Sequence, residues 1–426
     1  MSPGKPAASG KPAAPGKGVG SGSAAAHRPA TARRLATARR LAPATARRLA
    51  IEALVAVGEG ARANVVVPAT LASSGLEGRD RAFVTELVYG SVRMRRACDW
   101  LVHRFAKGDL EPPVLAALRI GAYQLAFLGT PRHAAVSATV AEVDGPGRGL
   151  VNAVLRRVAD LVDEGPLRWP DLATELSYPD WIVELLSREL GPTEGRAALV
   201  QMNRAASVTT RHDGYVQDRA SQLVAAHVGA RPGERVVDVC AAPGGKATDL
   251  AGTGAFVVAG DIEPARAATV AANATGLGLA NLDVMVADGL QPPLAPGSAD
   301  RVLVDAPCSG LGVLRRRPDA RWRGRPGDLP RLGALQRQLV DAAIPLLRPG
   351  GTLVYSVCTM TRAETAAVDR WLAERHPELM ALPPPRRPWR PAGRGALLLP
   401  QDEGTDGMYV LTLGVPPGHR QPASWG

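Results

Sequence analysis

The sequence predicts an all-helical bundle followed by a doubly wound, mostly parallel α/β domain. Three observations carry this reading. Residues 45–165 place apolar side chains at helical spacing, with no strand run among them. From Glu234 onward, short apolar runs alternate with amphipathic stretches, the pattern of parallel strands joined by helices. The residues with chemistry to offer fall at the carboxyl ends of those strands, where open α/β sheets bind ligands.

In chain order, residues 1–44 are Gly, Pro, Ala and basic residues, and predict a disordered tail. The hexamer TARRLA recurs at 31–36, 37–42 and 45–50, and its last copy is expected to open the first helix. The bundle, 45–165, should hold about five helices. Leu49, Ala50, Ala53, Leu54 and Val57 share one face, and further helices are expected over 80–105, 113–128, 135–142 and 150–161. Gly-Pro-Gly at 145–147 separates the last two. Residues 166–230 connect the two parts, with a helix over 178–190 and a short strand over 207–211. In the α/β domain, 231–418, strands are expected at 235–240, 255–260, 282–287, 299–306 and 351–357, with helices over 246–251, 264–276 and 331–347.

Composition narrows the function classes. A 46% hydrophobic content excludes a chain disordered throughout. No apolar run nears the roughly 18 residues of a membrane helix, and the amino terminus carries no apolar signal stretch, so a cytoplasmic protein is expected. The net charge of +11 belongs to the tail: residues 1–50 hold ten basic side chains and no acidic one. That tail reads equally as an arm for RNA phosphates or as a dispensable extension. The four cysteines match no metal-binding spacing, so no metal is expected.

The first strand runs into Cys240-Ala241-Ala242-Pro243-Gly244-Gly245-Lys246. Its glycine pair permits close backbone approach to a ligand and opens a helix whose amino end favours an anion. Asp261 ends the second strand, where a carboxylate can accept both hydroxyls of a ribose. Asp288 follows the third, suited to an adenine amino group or to a helix cap. Together these describe an adenosine cofactor with a carboxylate end, and S-adenosylmethionine fits. The fourth strand ends in Asp305-Ala306-Pro307-Cys308, and the fifth leads to Cys358. A thiol is the nucleophile a pyrimidine needs: thiolate addition at C6 turns C5 into a carbon able to attack a methyl group. Asp305 is placed to hydrogen-bond or protonate N3. Spacing alone leaves open which thiol attacks.

These residues form a pattern. CAAPGGKAT, the acidic residues after strands two and three, DAPCSG and YSVCT occur in order, and the catalytic half resembles the bacterial 16S rRNA cytosine-C5 methyltransferases of the Sun/Nop2 class. GVLRRRPD at 312–319 has Arg317 where that family usually has His, and DGMY at 406–409 has Met408 for Phe. DRAFVTELVYGSVRMR (80–95), DWLVHRF (99–105) and GLVNAVLRR (149–157) resemble the NusB-like helical domain of the same subfamily. The resemblance implies a Rossmann-like methyltransferase domain behind a NusB-like RNA-binding bundle. It implies Cys358 as the nucleophile and Cys308 as the thiol that assists release. It also implies Cys240–Lys246, Asp261, Asp288 and Asp305 around S-adenosylmethionine. Arg211, matching a family arginine, and the run Arg315, Arg316, Arg317 are expected to grip RNA. The substrate would be 16S rRNA, free or in an assembling subunit, and the enzyme a monomer. The alternatives are the same chemistry on tRNA or another rRNA site, or an inactive RNA-binding protein.

Overall fold

The computed structural model describes residues 45–418; the readings of the tail lie outside the described residues. Thr45 caps the first helix, its hydroxyl accepting the Arg48 N–H at 3.2 Å, so the third TARRLA copy does open a helix. The bundle consists of α1 (Ala46–Gly58), α2 (Ala63–Ala72), α3 (Gly78–Arg93), α4 (Arg95–His103), α5 (Pro112–Ala126), α6 (Arg132–Val140) and α7 (Gly147–Asp163). It thus holds seven helices among the described residues, where about five were expected. The helix α2, an Asn-Val-Val-Val run with Pro68 inside it, has β-branched residues that mask its periodicity. The expected helix over 80–105 breaks at Met94. Beyond the break, the freed N–H of Arg96 is taken up by Ser177 Oγ at 3.0 Å. The α5 helix is the centre of the bundle, buried on most of its circumference. It packs so closely on α3 that a Cβ at Gly90 would lie 2.1 Å from the Tyr123 ring.

Four helices connect the bundle to the sheet: α8 (Leu172–Glu175), α9 (Asp180–Leu190), α10 (Pro192–Met202) and α11 (Arg219–Val228). The strand expected over 207–211 is only an isolated bridge between Thr210 and Val216, because the segment turns back on itself. The sheet has β1 (Arg235–Asp238), β2 (Phe256–Asp261), β3 (Leu282–Val286), β4 (Ala299–Asp305), β5 (Leu347–Val357), β6 (Met380–Ala381), β7 (Arg390–Ala392), β8 (Gly395–Leu398) and β9 (Met408–Gly414). The order is β3-β2-β1-β4-β5-β9-β8-β7, with β6 paired to β9. Neighbours among the first five strands are parallel, and β9 is antiparallel to β5. The remaining helices are α12 (Gly245–Gly252), α13 (Pro264–Gly276), α14 (Ala320–Arg323), α15 (Asp328–Ala343), α16 (Ala366–Arg375) and α17 (Pro400–Glu403). Helices α11, α12 and α13 cover one face of the sheet and α15 and α16 the other.

Strand order reverses between β1 and β4, which opens a crevice at their carboxyl ends. The loop after β4 leaves that crevice and plugs into the bundle. Arg321 on α14 is completely buried, its guanidinium 3.8 Å from the Tyr178 ring centroid. It donates to the carbonyls of Arg93 and Ser177 and to Asn203 Oδ1 at 3.0–3.1 Å. Trp322 Nε1 donates to the Val92 carbonyl at 2.7 Å. One short helix therefore holds α3, the connecting helices and the catalytic loop together. Among the described residues, no helix is long and apolar enough to cross a membrane.

Candidate active site

The thiols expected at neighbouring strand ends meet. Cys308 Sγ and Cys358 Sγ are 3.1 Å apart, because β4 and β5 are adjacent and in register, Asp305 opposite Ser356. The hydrogen bond from Cys308, aided by the Lys246 ammonium, favours the Cys358 thiolate against burial and the Asp305 charge. The same bond, burial and the Glu364 carboxylate push Cys308 the other way, well above the ordinary thiol value. The pair thus resolves into an ionisable thiol and a protonated one. The Cys358 carbonyl is fixed by the Gly312 N–H at 3.0 Å, and the Gly312 carbonyl accepts the Gly407 N–H at 2.9 Å. A Cβ on Gly312 would lie 2.0 Å from the Gly407 carbonyl oxygen, so these motifs, far apart in sequence, need glycine to touch.

Lys246 Nζ lies 2.6 Å from Asp305 Oδ2. Burial favours the neutral amine, but the Asp305 charge and hydrogen bond outweigh it, and the Lys246 pKa is raised. Both line a cleft of about 200 Å³ with Cys358, Tyr215, Gln217, Asp218, Arg317 and Met408.

The strand ends fit S-adenosylmethionine. Gly244, at φ +102°, turns the chain from β1 into α12. A Cβ on Gly245 would sit 3.0 Å from Gln217 Nε2. Asp238, at the end of β1, is fully buried, and its Oδ2 has no partner. Burial and the nearby Asp305 charge raise its pKa to about 7. Asp261 is nearly buried at the end of β2 beside Ile262, a large apolar side chain 61% exposed. Asp261 Oδ2 is held at 3.2 Å by the exposed Arg266, which an incoming hydroxyl would displace. Asp288 lies two residues past β3, exposed, accepting the Leu290 N–H at 2.9 Å. Among the described residues, no group of three His, Cys, Asp or Glu is arranged to hold a metal ion.

Asp238 titrates with a consequence for stability. Its folded pKa of about 7 stands above the ordinary 3.8, so folding favours the protonated acid. That contribution is complete below pH about 4 and is lost as pH rises through about 7. The Tm without cofactor should fall between about pH 4 and 7, and Asp238→Asn should remove much of that fall. An equal fall in the variant would contradict this assignment.

The arginines expected to grip RNA are placed differently. Arg211 is buried, ion-paired to Asp213, and donates to the Gly245 carbonyl at 2.7 Å. It clamps the cofactor turn and is not free for a phosphate. Arg315 is also buried and donates to the Gly404 carbonyl. Arg316 is tied to the buried Asp406, with Nε at 2.7 Å from Oδ2. Arg317 is exposed at the rim of the cleft. Charge runs in sequence do not reveal which carboxylates come near, and nothing local marks Asp213 and Asp406 as partners. Asp238 and Glu364 carry equally little local signal. The first is visible only as an acid inside an apolar strand, the second only as one acid among many on the surface-like stretch after Cys358.

A doubly wound sheet with a glycine turn after its first strand, acids at the ends of the next, and a thiol pair of which Cys358 shares the cleft with a lysine points to a methyltransferase with an adenosine-bearing cofactor. The comparisons specify it. The model of the 16S rRNA methyltransferase RsmB/F family matches residues 225–414, and that of the NusB family matches 44–160. The ribosomal RNA small subunit methyltransferase B of Thermus thermophilus is 37% identical over 399 residues, covering 87% of this chain and 97% of the relative. A probable enzyme of the same name in Bacillus subtilis is 30% identical, covering 86% and 98%. The crystal structure of PH0851 shares the fold, with a TM-score of 0.71 at 22% identity over 88% of this chain and 99% of that one. The chain belongs to the RsmB/F family of rRNA methyltransferases, with an amino-terminal NusB domain, and is an S-adenosylmethionine-dependent rRNA methyltransferase.

Proposed function

We propose that this chain methylates C5 of a cytosine in 16S rRNA through a transient bond between Cys358 and C6 of the base. The observation that carries the reading is the thiol pair, 3.1 Å apart, with Cys358 opening on the same cleft as Lys246 and Asp305. A ring methylation that needed no covalent activation would have no use for two thiols there.

The cytosine is taken out of its stack into the cleft. The Cys358 thiolate gives its electron pair to C6, and charge moves onto the ring. The Lys246 ammonium, oriented by Asp305, donates to the N3 side and holds that charge. Residues Cys240–Lys246, Asp261, Asp288 and Asp305 would hold S-adenosylmethionine, which when bound supplies an electrophilic methyl group. With C5 methylated, its proton passes to water in the cleft. The C–H electron pair restores the C5–C6 double bond, and the C6–S bond breaks with its pair returning to Cys358. Cys308 donates its S–H to that departing sulfur, which regenerates the resting pair. The enzyme works as a single cytoplasmic chain on rRNA or on the assembling small subunit, with the NusB domain contributing RNA contacts.

Nucleoside analysis tests this. Unmethylated 16S rRNA incubated with enzyme and cofactor should yield 5-methylcytidine. Label in a ribose methyl group, or in N4 of cytidine, would overturn the reading. Among the described residues lining the cleft, Arg316 and Arg317 are both exposed, and Arg317 is the one not ion-paired to Asp406. Arg317→Ala should raise the KM for RNA several-fold, change kcat less, and lower the slope of log affinity against log salt by about one. An unchanged salt slope would remove Arg317 from the RNA path.

A further inference from the structure

Glu364 is a buried carboxylate that the chemistry above does not use. It ends a short turn, Arg362–Glu364, just past Cys358, and its side chain is fully buried. Four donors reach it, all neutral. The Ser309 N–H and hydroxyl lie at 2.8 and 2.5 Å, Gln336 Nε2 at 3.1 Å and the Thr361 hydroxyl at 2.9 Å. No lysine or arginine pairs with it among the described residues. Gln336 is held in turn: its amide also donates to the Pro307 carbonyl at 2.9 Å, and it accepts the Tyr355 hydroxyl at 3.0 Å. Ser309 Oγ further bonds Thr359 Oγ at 3.0 Å.

The Ser309 bonds join the loop of Cys308, residues 307–309, to the segment of Cys358, residues 359–364; Gln336 braces both from α15, and the Thr361 bond lies within the second segment. The network therefore sets the distance between the two sulfurs. A carboxylate that receives only neutral donors also keeps its negative charge local. That carboxylate is hydrogen-bonded to Ser309, the residue after Cys308. The two thiols thus sit in different surroundings: Cys358 lies against the Lys246–Asp305 ion pair, whose two charges act in opposite directions, while Cys308 faces Glu364.

We propose that Glu364 is a positioning residue for the second thiol. Its buried, cation-free carboxylate holds the Cys308 loop against the end of β5 and keeps Cys308 protonated while Cys358 cycles between thiolate and adduct. Only a protonated Cys308 can donate to the departing sulfur, so Glu364 acts on release through Cys308. The Cys308 thiol is indeed displaced upward by its bond to Cys358, by burial, by the Cys358 charge and by Glu364. The titratable groups around Cys308 are Cys358, Glu364 and the Tyr355 phenol; Lys246, Asp305 and Asp406 act on Cys358. The assignment of release to Cys308 rests on the proposed function. The protonation of Cys308 does not.

The test is alkylation against pH, with peptide mapping of each thiol in the full chain. In Cys358→Ser, Cys308 has lost its thiol partner but keeps Glu364, and its alkylation midpoint should stay above the ordinary thiol value of about 8.5. Adding Glu364→Gln should lower that midpoint by about one unit, a tenfold gain in thiolate at fixed pH. Glu364→Asp should restore most of the shift. With Cys358 intact, Glu364→Gln should lower kcat more at pH 9 than at pH 7, with RNA-bound enzyme accumulating at the higher pH. A purely structural Glu364 would depress kcat equally at both. The proposal falls if Cys308 in Cys358→Ser titrates as an ordinary thiol, a result that needs no Glu364 variant to fold. It also falls if Glu364→Gln leaves the midpoint unmoved. Failure of the cytosine chemistry would show separately, as no RNA adduct from Cys308→Ala while the alkylation profile stands.

Discussion

Cys358→Ala should leave no measurable methyl transfer, a loss of about four orders of magnitude or more in kcat. The size follows from the chemistry. In the proposed mechanism unactivated C5 does not attack a methyl group, and among the described residues lining the cleft Cys358 is the one thiol. Cys308 stands 3.1 Å away, but it does not line the cleft that holds Lys246 and Asp305. Cofactor titration is the control, since a Cys358→Ala protein that still binds S-adenosylmethionine has lost chemistry and not fold. Residual activity within a factor of ten of the parent would mean that another group attacks the ring.

Arg321→Ala should lower the unfolding free energy by about 4 kcal/mol, read from the urea midpoint at constant slope. The guanidinium serves four acceptors, the carbonyls of Arg93, Ser177 and Leu314 and the Asn203 amide oxygen, and its loss leaves them without that donor. Each buried acceptor left without a partner costs about 1–3 kcal/mol. The cavity over the Tyr178 ring adds to this. Burial already lowers the Arg321 pKa to about 10, a sign of how completely its environment excludes water. Trp322→Phe, which removes a single bond to the Val92 carbonyl, should cost about 1 kcal/mol. An Arg321→Ala cost no greater than that of Trp322→Phe would show that α14 does not hold the bundle to the catalytic domain.

The strands and the thiol pair were legible because their signals are local. An apolar run bounded by a glycine turn reads as a buried strand wherever it lies. Two cysteines at neighbouring strand ends follow from the order of the strands. What escaped was long-range. The antiparallel β9 wedged between β5 and β8 pairs residues that the alternation of strands and helices does not foretell. The break at Met94 depends on Ser177, more than eighty positions away, accepting a freed N–H. The arginines show the same limit: Arg211 and Arg315 look like phosphate ligands until Asp213, Gly245 and Gly404 are seen to occupy them. Glu364 was invisible for the opposite reason, since nothing in sequence distinguishes an acid that will be buried without a cation from one left in solvent.

The most direct test of the central claim is covalent trapping. The parent protein, Cys308→Ala and Cys358→Ala are each mixed with unmethylated 16S rRNA and S-adenosylmethionine and run on a denaturing gel. A slow-migrating RNA–protein species from Cys308→Ala, and not from the other two, is the expected result: attack by Cys358 succeeds, and release without the Cys308 S–H stalls. The same species from Cys358→Ala would exchange the roles of the two thiols. No species from any of the three, with cofactor binding intact, would contradict covalent catalysis on this RNA.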